Sequence, residues 1–147
     1  MAIDKIYFEQ YKLYIESIEK ISDRRNSANK YFITINSSVF ALSGLFMQYT
    51  QTNQQFLLIG LCVLGLIVNT IFYFLINSYK QLNTGKFIIV HRMEKKLPIK
   101  LYTDEWKALG NGKNFKKYFP FSHIEKFVSI VFFACYAFAL FFLILCY

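Results

Sequence analysis

The feature that most constrains this chain is the placement of its charged residues. All 26 Asp, Glu, Lys and Arg side chains lie within residues 4–30 and 80–126, whereas residues 31–79 and 127–147 contain none. A run of about 20 apolar residues is long enough to cross the ~30 Å hydrocarbon core of a bilayer. Because hydrophobic residues also make up 55% of the chain, this distribution predicts a small integral membrane protein and excludes a disordered chain.

Three apolar runs have about the length of a membrane span: residues 31–47, 56–76 and 127–146. The first is the weakest, since it contains Asn36 and several hydroxyl residues. We therefore expect an all-α membrane protein with three transmembrane helices. The predicted segments are a cytoplasmic amphipathic helix at 1–30, a transmembrane hairpin at 31–78, a cytoplasmic loop module at 79–125 and a third transmembrane helix at 126–147. A re-entrant or monotopic third segment is the alternative.

The basic residues predict the orientation. The connection between the first two runs, residues 48–55, has no charge, and both flanks of the hairpin are rich in Lys and Arg. By the positive-inside rule, the N-terminus and the loop module lie in the cytoplasm and the C-terminus lies outside. The same residues are placed to contact anionic lipid headgroups at the cytoplasmic face. No nucleic-acid-binding pattern accompanies them, so nucleic acid is not expected as a partner.

The N-terminal segment predicts one long helix that is continuous with the first span. It has no Gly or Pro before Gly44, and its apolar residues recur at steps of four and three, the spacing of a helix seam. About 45 residues are expected in this helix. The seam favours contact with a neighbouring subunit; the chain's own loop and the membrane surface are the alternatives. Its residues are Tyr7, Tyr11, Tyr14, Ile18 and Ile21.

A polar stripe follows the same predicted helix toward the membrane. It consists of Arg25, Asn29, Asn36 and Ser43, and the last three are seven residues apart. A polar side chain facing lipid is costly, so the stripe is expected to face protein or water. It either forms hydrogen bonds between helices or lines a polar cavity or pore. Nearby, the small residues Ser37 and Ala41 allow close helix approach.

The loop module shows turns and helix signals but no catalytic pattern. A helix is expected over 81–96, ended by Pro98, and Thr103 is expected to cap a short helix that ends at Gly110. Trp106 is interpreted as a packing or interface anchor. No nucleophile–base set, phosphate loop or metal-binding spacing is present in the sequence, so neither an enzymatic activity nor a cofactor nor a metal is expected.

Several sequence blocks carry a resemblance to a known family. EQYKLYIE, ISDRRNSANKYFITINSS, NSYKQLNTGKF, MEKKLP, LYTDEWKALGNGK and YFPFSHIEK resemble the RipA family of octameric bacterial membrane proteins. The resemblance implies a homo-octamer in the bacterial cytoplasmic (inner) membrane and, by analogy with the name-giving member, a role in the intracellular growth of a pathogen. In the loop module and its flanks, the matching positions include Tyr79, Gln81, Asn83, Gly85, Lys86, Trp106, Gly110, His123 and Glu125.

Two functions fit these expectations. The first is a non-enzymatic scaffold or assembly factor whose main partner is another copy of the chain; any further protein partner is not indicated by the sequence. The second is a pore-forming or membrane-permeabilising effector. A continuous water-accessible lumen distinguishes the second from the first, and the polar stripe is the only segment expected to line one.

Overall fold

The computed structural model describes residues 5–49 and 54–145, and within this part of the chain it contains helices and no strands. The elements are α1 (Lys5–Tyr49), α2 (Gln54–Glu94), α3 (Leu101–Ala108), a 3₁₀ turn (Gly110–Gly112) and α4 (Phe121–Leu145). The all-α class and the long N-terminal helix of 45 residues are confirmed. The predicted second span and the helix expected at 81–96 are a single helix, α2, because no Pro interrupts residues 54–94.

The number of membrane spans differs from the prediction. Among the described residues, two helices rather than three, α2 and α4, are long and apolar enough to be candidate spans. The predicted first span, residues 31–47 of α1, does not qualify. The reason is the cluster of Thr34, Asn36, Ser37, Ser38 and Ser43, whose polar groups lower the mean hydropathy of that segment.

The described residues form two compact units. The polar unit comprises the residues up to Asn26 together with 77–123, and the apolar unit comprises 27–76 and the residues from 124 onward. Of the 25 charged residues that the structure describes, all but Lys30, Glu125 and Lys126 belong to the polar unit. The division therefore follows the charge pattern of the sequence.

The core of the apolar unit is formed by three helices. The Phe32 and Phe72 rings of α1 and α2 stack with centroids 3.6 Å apart, and Phe132 of α4 meets Phe32 edge-on. A second cluster joins Val39, Cys62 and Tyr136. Gly65 makes the α2–α4 contact possible, because a Cβ at that position would lie 2.5 Å from the Tyr136 ring.

Candidate functional site

The predicted seam on α1 packs inside the polar unit. Tyr11 and Ile18 are buried against Val90 of α2, with Tyr14 at the edge of the same cluster. The Tyr7 hydroxyl donates a hydrogen bond of 2.6 Å to the Met93 carbonyl. Of the three partners considered for the seam, the structure thus shows contacts with the chain's own α2 and loop. Ile21, the last seam residue, is half-buried.

A buried carboxylate lies where the seam meets the start of α3. Glu94, the last residue of α2, is fully buried. Its Oε1 accepts the backbone N–H of Tyr102 at 2.7 Å, and its Oε2 accepts the backbone N–H and the hydroxyl of Thr103 at 2.9 and 2.6 Å. The Tyr11 hydroxyl reaches Oε1 at 3.4 Å. Glu94 therefore connects α1, α2 and α3 through one side chain.

This arrangement corrects the prediction for the cap of α3. The helix begins at Leu101, two residues before Thr103, and Lys100 at its N-cap position makes no side-chain hydrogen bond. Glu94 accepts hydrogen bonds from first-turn amides instead, so the cap comes from another helix. Amides at a helix N-terminus are otherwise unpaired, and a negative charge is favourable there.

The hydrogen bonds determine the ionisation of this cluster. Burial raises the pKa of Glu94, but the bonds from Thr103 and Tyr102 outweigh it and hold the pKa below its ordinary value. Burial, together with the adjacent Glu94 carboxylate, raises the pKa of Tyr11 to about 12. At neutral pH a neutral phenol therefore faces an ionised, fully buried carboxylate. Because both oxygens of Glu94 bond the start of α3, we interpret this carboxylate as a structural cap.

A pocket of about 510 Å³ lies beside this cluster within the polar unit. Its volume is in the range of small-molecule sites. One side is formed by successive turns of α2, and the opposite side by α3 and residues 118–122. Its aromatic lining residues are Phe87, Tyr102, Trp106, Tyr118 and Phe121. Its polar lining residues include Arg25, Lys80, Asn83, His91 and Glu105.

The turn after α3 positions Trp106 at this pocket. Gly110 and Gly112 have φ angles of +73° and +69°, which favour glycine. A Cβ on Gly112 would also lie 2.8 Å from the Trp106 ring, which packs edge-on against Tyr118. The Trp106 ring also lines the pocket and is 40% exposed, so its role as a packing or interface anchor stays a prediction.

The other positions carried by the resemblance are dispersed. Asn83 lines the pocket, and its Oδ1 is buried without a hydrogen-bond donor among the described residues. Lys86 donates to the Ser17 hydroxyl at 2.7 Å, and His123 packs against the rings of Phe115 and Phe119. Tyr79 is half-buried, whereas Gln81 and Gly85 are exposed. The structure does not bring these residues together as one site.

The polar stripe lies mainly in the apolar unit. Asn36 is 1% exposed; its Nδ2 donates to the Phe32 carbonyl, and its Oδ1 accepts the Asn69 Nδ2 at 3.0 Å. Asn29 donates to the Glu125 carboxylate of α4, and Ser43 donates to the Val39 carbonyl. Arg25, in the polar unit, lies over the Phe121 ring. The stripe members in the apolar unit are therefore bonded within the chain.

Sequence reasoning missed the Glu94 cluster and the pairing of Asn36 with Asn69. A signal for the first existed: an acidic residue at a helix C-terminus is electrostatically unfavourable and suggests a second role.

The part of the chain that the structure describes contains no group of three or more His, Cys, Asp or Glu side chains arranged to hold a metal.

Comparison with models of known protein families assigns this chain to a family. The profile of the Octameric membrane protein family (8xMP) matches residues 8–146. The chain belongs to the Octameric membrane protein family. No curated protein and no solved structure matches it. Membership agrees with the expected octamer and with the two apolar helices; the narrower assignment to the RipA family stays a prediction.

Proposed function

We propose that this chain is a non-enzymatic, homo-octameric scaffold of the bacterial cytoplasmic membrane. Family membership supports the octamer. The observation that favours a scaffold over a pore is the position of Asn36. A lumen wall needs a polar group that faces water, whereas the Asn36 side chain is buried and hydrogen-bonded to Asn69 of the same chain. The polar stripe then stabilises a helix bundle.

The proposed topology has three membrane-embedded segments, even though hydropathy alone identifies two. Residues 31–47 of α1 pack through Phe32 and Val39 in the cores of the apolar unit. Their most polar side chain, Asn36, faces these cores, which reduces the cost of placing the segment in lipid. With the positive-inside rule, residue 100 is cytoplasmic, and residues 51 and 147 are external. Anionic headgroups contact the basic residues of the polar unit.

Three measurements test this proposal. The purified protein in nanodiscs should have the mass of eight copies, and a smaller assembly contradicts the octamer. Asn36→Cys, in a background where Cys62, Cys135 and Cys146 are Ala, should resist a water-soluble thiol reagent. Labelling of residue 36 at the rate of a water-exposed control such as residue 100 contradicts the scaffold. Labelling of residue 100 from the external face of intact cells contradicts the topology.

A further inference from the structure

The pocket of about 510 Å³ in the polar unit has an excess of positive charge in its lining. Among the described residues that line it, two are basic, Arg25 and Lys80, and one is acidic, Glu105. Lys80 is exposed, and the Arg25 guanidinium lies over the Phe121 ring, 5.8 Å from its centroid. Ammonium and guanidinium groups donate charge-assisted hydrogen bonds to phosphate and carboxylate groups. The lining therefore favours a ligand that carries an anionic group.

Both basic residues lie at one end of the pocket. Hydrogen bonds join the start of α1 to the end of α2, and Ser17 to Lys86 further back along α2, so the two helices are antiparallel here. The same register brings Arg25 to the level of Lys80. Lys80 and His91 are the first and last α2 residues of the lining, and they are about 16 Å apart along the helix axis. The anionic group of a ligand is therefore expected at the end opposite His91.

The His91 ring supplies a hydrogen-bond acceptor at that other end. The Thr103 hydroxyl donates its single hydrogen to the Glu94 carboxylate at 2.6 Å. The Nδ1 of His91 lies 2.9 Å from the same hydroxyl oxygen, so Nδ1 must be the donor in that contact. In a neutral imidazole the second nitrogen, Nε2, is then an acceptor. The His91 side chain lines the pocket and is 29% exposed, so the ring is accessible to a ligand.

Aromatic rings make up much of the rest of the lining. Phe87 and Tyr102 meet edge-on with centroids 5.8 Å apart, and Trp106 meets Tyr118 in the same way at 6.3 Å. The exposed part of Trp106 is available for a further contact. Aromatic side chains bind the planar bases of nucleotides by stacking. A lipid tail could also contact these rings, but it has no donor for the His91 acceptor.

We propose that this pocket binds a nucleotide, a soluble phosphate ester whose planar base carries an exocyclic amine. The phosphate contacts Arg25 and Lys80, the base stacks on the aromatic rings, and the amine donates to the Nε2 of His91. The ligand and the flexible Lys80 side chain together span the distance between the two ends. Inorganic phosphate would leave the rings and His91 without a contact. This binding role goes beyond the proposed scaffold and does not depend on the number of subunits.

Tryptophan fluorescence tests binding directly, because Trp106 is the only tryptophan in the chain. The full-length protein in detergent micelles is titrated with AMP, GMP and CMP, whose bases all carry an exocyclic amine. At least one of them should change the Trp106 emission, with a Kd below about 1 mM. Lys80→Ala should weaken this binding about tenfold. Lys95→Ala is the matched control, because Lys95 is exposed and lies outside the lining, and it should leave the Kd unchanged.

Nucleotides without the amine test the contact with His91. The 5′-monophosphates of purine riboside, inosine and zebularine are AMP, GMP and CMP without that group. For the nucleotide that binds, the amine-free analogue should bind about threefold to tenfold more weakly. His91→Asn keeps a donor for Thr103 but has no group at the position of Nε2, so it should remove this difference.

Three results overturn the proposal. The first is an emission that none of the three nucleotides changes at millimolar concentration, including the case in which only phosphatidylglycerol added to the micelles changes it, which would assign the pocket to a lipid headgroup. The second is equal weakening by Lys80→Ala and Lys95→Ala, which would place the phosphate elsewhere. The third is a difference between nucleotide and analogue that persists in His91→Asn.

Discussion

Removing the Glu94 carboxylate should release α3 from the polar unit. Glu94 accepts three short hydrogen bonds from two residues at the start of α3 and is fully buried. A hydrogen bond to a charged group contributes about 1.5–3 kcal/mol, but bonds in one network are not additive. Breaking a buried charged network by removing one partner costs about 3–5 kcal/mol. We expect this loss for Glu94→Ala and a smaller one for Glu94→Gln, which keeps one acceptor oxygen.

Hydrogen–deuterium exchange of the amides of Tyr102 and Thr103 measures this effect locally. A loss of about 3–5 kcal/mol corresponds to exchange that is faster by roughly two to three and a half orders of magnitude. Glu9→Gln is the matched control, because Glu9 is exposed and its ion pair among the described residues is with Lys12 at 3.6 Å. Exchange at α3 should not change. Unchanged protection of both amides in Glu94→Ala refutes the reasoning, since the cap would then contribute nothing.

The acid dependence follows from the same cluster. The folded pKa of Glu94 is below its ordinary value of 4.5, so the folded state binds this proton less tightly than the unfolded state does. Its contribution to stability is therefore complete above about pH 4.5 and is lost as the pH falls through the folded pKa. In Glu94→Gln, the free energy of unfolding should depend less on pH in this acid range. An unaltered pH dependence contradicts the lowered pKa of Glu94.

Two further predictions concern the tyrosine beside Glu94 and the packing of the apolar unit. Because the pKa of Tyr11 is about 12 in the folded protein, the contribution of Tyr11 to the free energy of unfolding is complete below pH 10 and is lost as the pH rises to about 12. In Tyr11→Phe, the free energy of unfolding should therefore fall less over this alkaline range, as measured by unfolding at a series of pH values. Gly65→Ala should destabilise the α2–α4 contact by about 1–3 kcal/mol through overlap with Tyr136, as measured by thermal unfolding in detergent. Gly60→Ala, with open space at its Cβ, should show no comparable loss.

The helices were largely predictable from the sequence because their signals are local. The absence of Gly and Pro before Gly44 and the apolar spacing together predict α1, and its 45 residues match the expected length. Pro98 lies just beyond the end of α2 at Glu94. The continuity of α2 was not predicted, because a change from apolar to polar composition looks like a boundary even where the backbone continues as a helix.

The partners of polar side chains were less predictable, because they come from distant parts of the chain. Asn36 indicated a polar contact in the membrane, but its partner Asn69 is 33 residues away. Thr103 resembles an N-cap by local pattern, whereas the cap is supplied by Glu94 of the preceding helix. A seam of tyrosines requires a partner helix without specifying which one. Local spacing gives the face of a helix, and tertiary packing decides what that face contacts.

Ion flux through liposomes tests the central claim most directly. The wild-type protein, reconstituted with its octameric mass confirmed, should release no more of an enclosed anion than protein-free vesicles do, because Asn36 is bonded to Asn69 and the proposed scaffold has no lumen along α1. Asn36→Leu should also show no ion flux, while it weakens the association of the helices by about 0.6–2 kcal/mol. Flux through the wild-type octamer that disappears in Asn36→Leu would contradict the account and identify α1 as the wall of a pore.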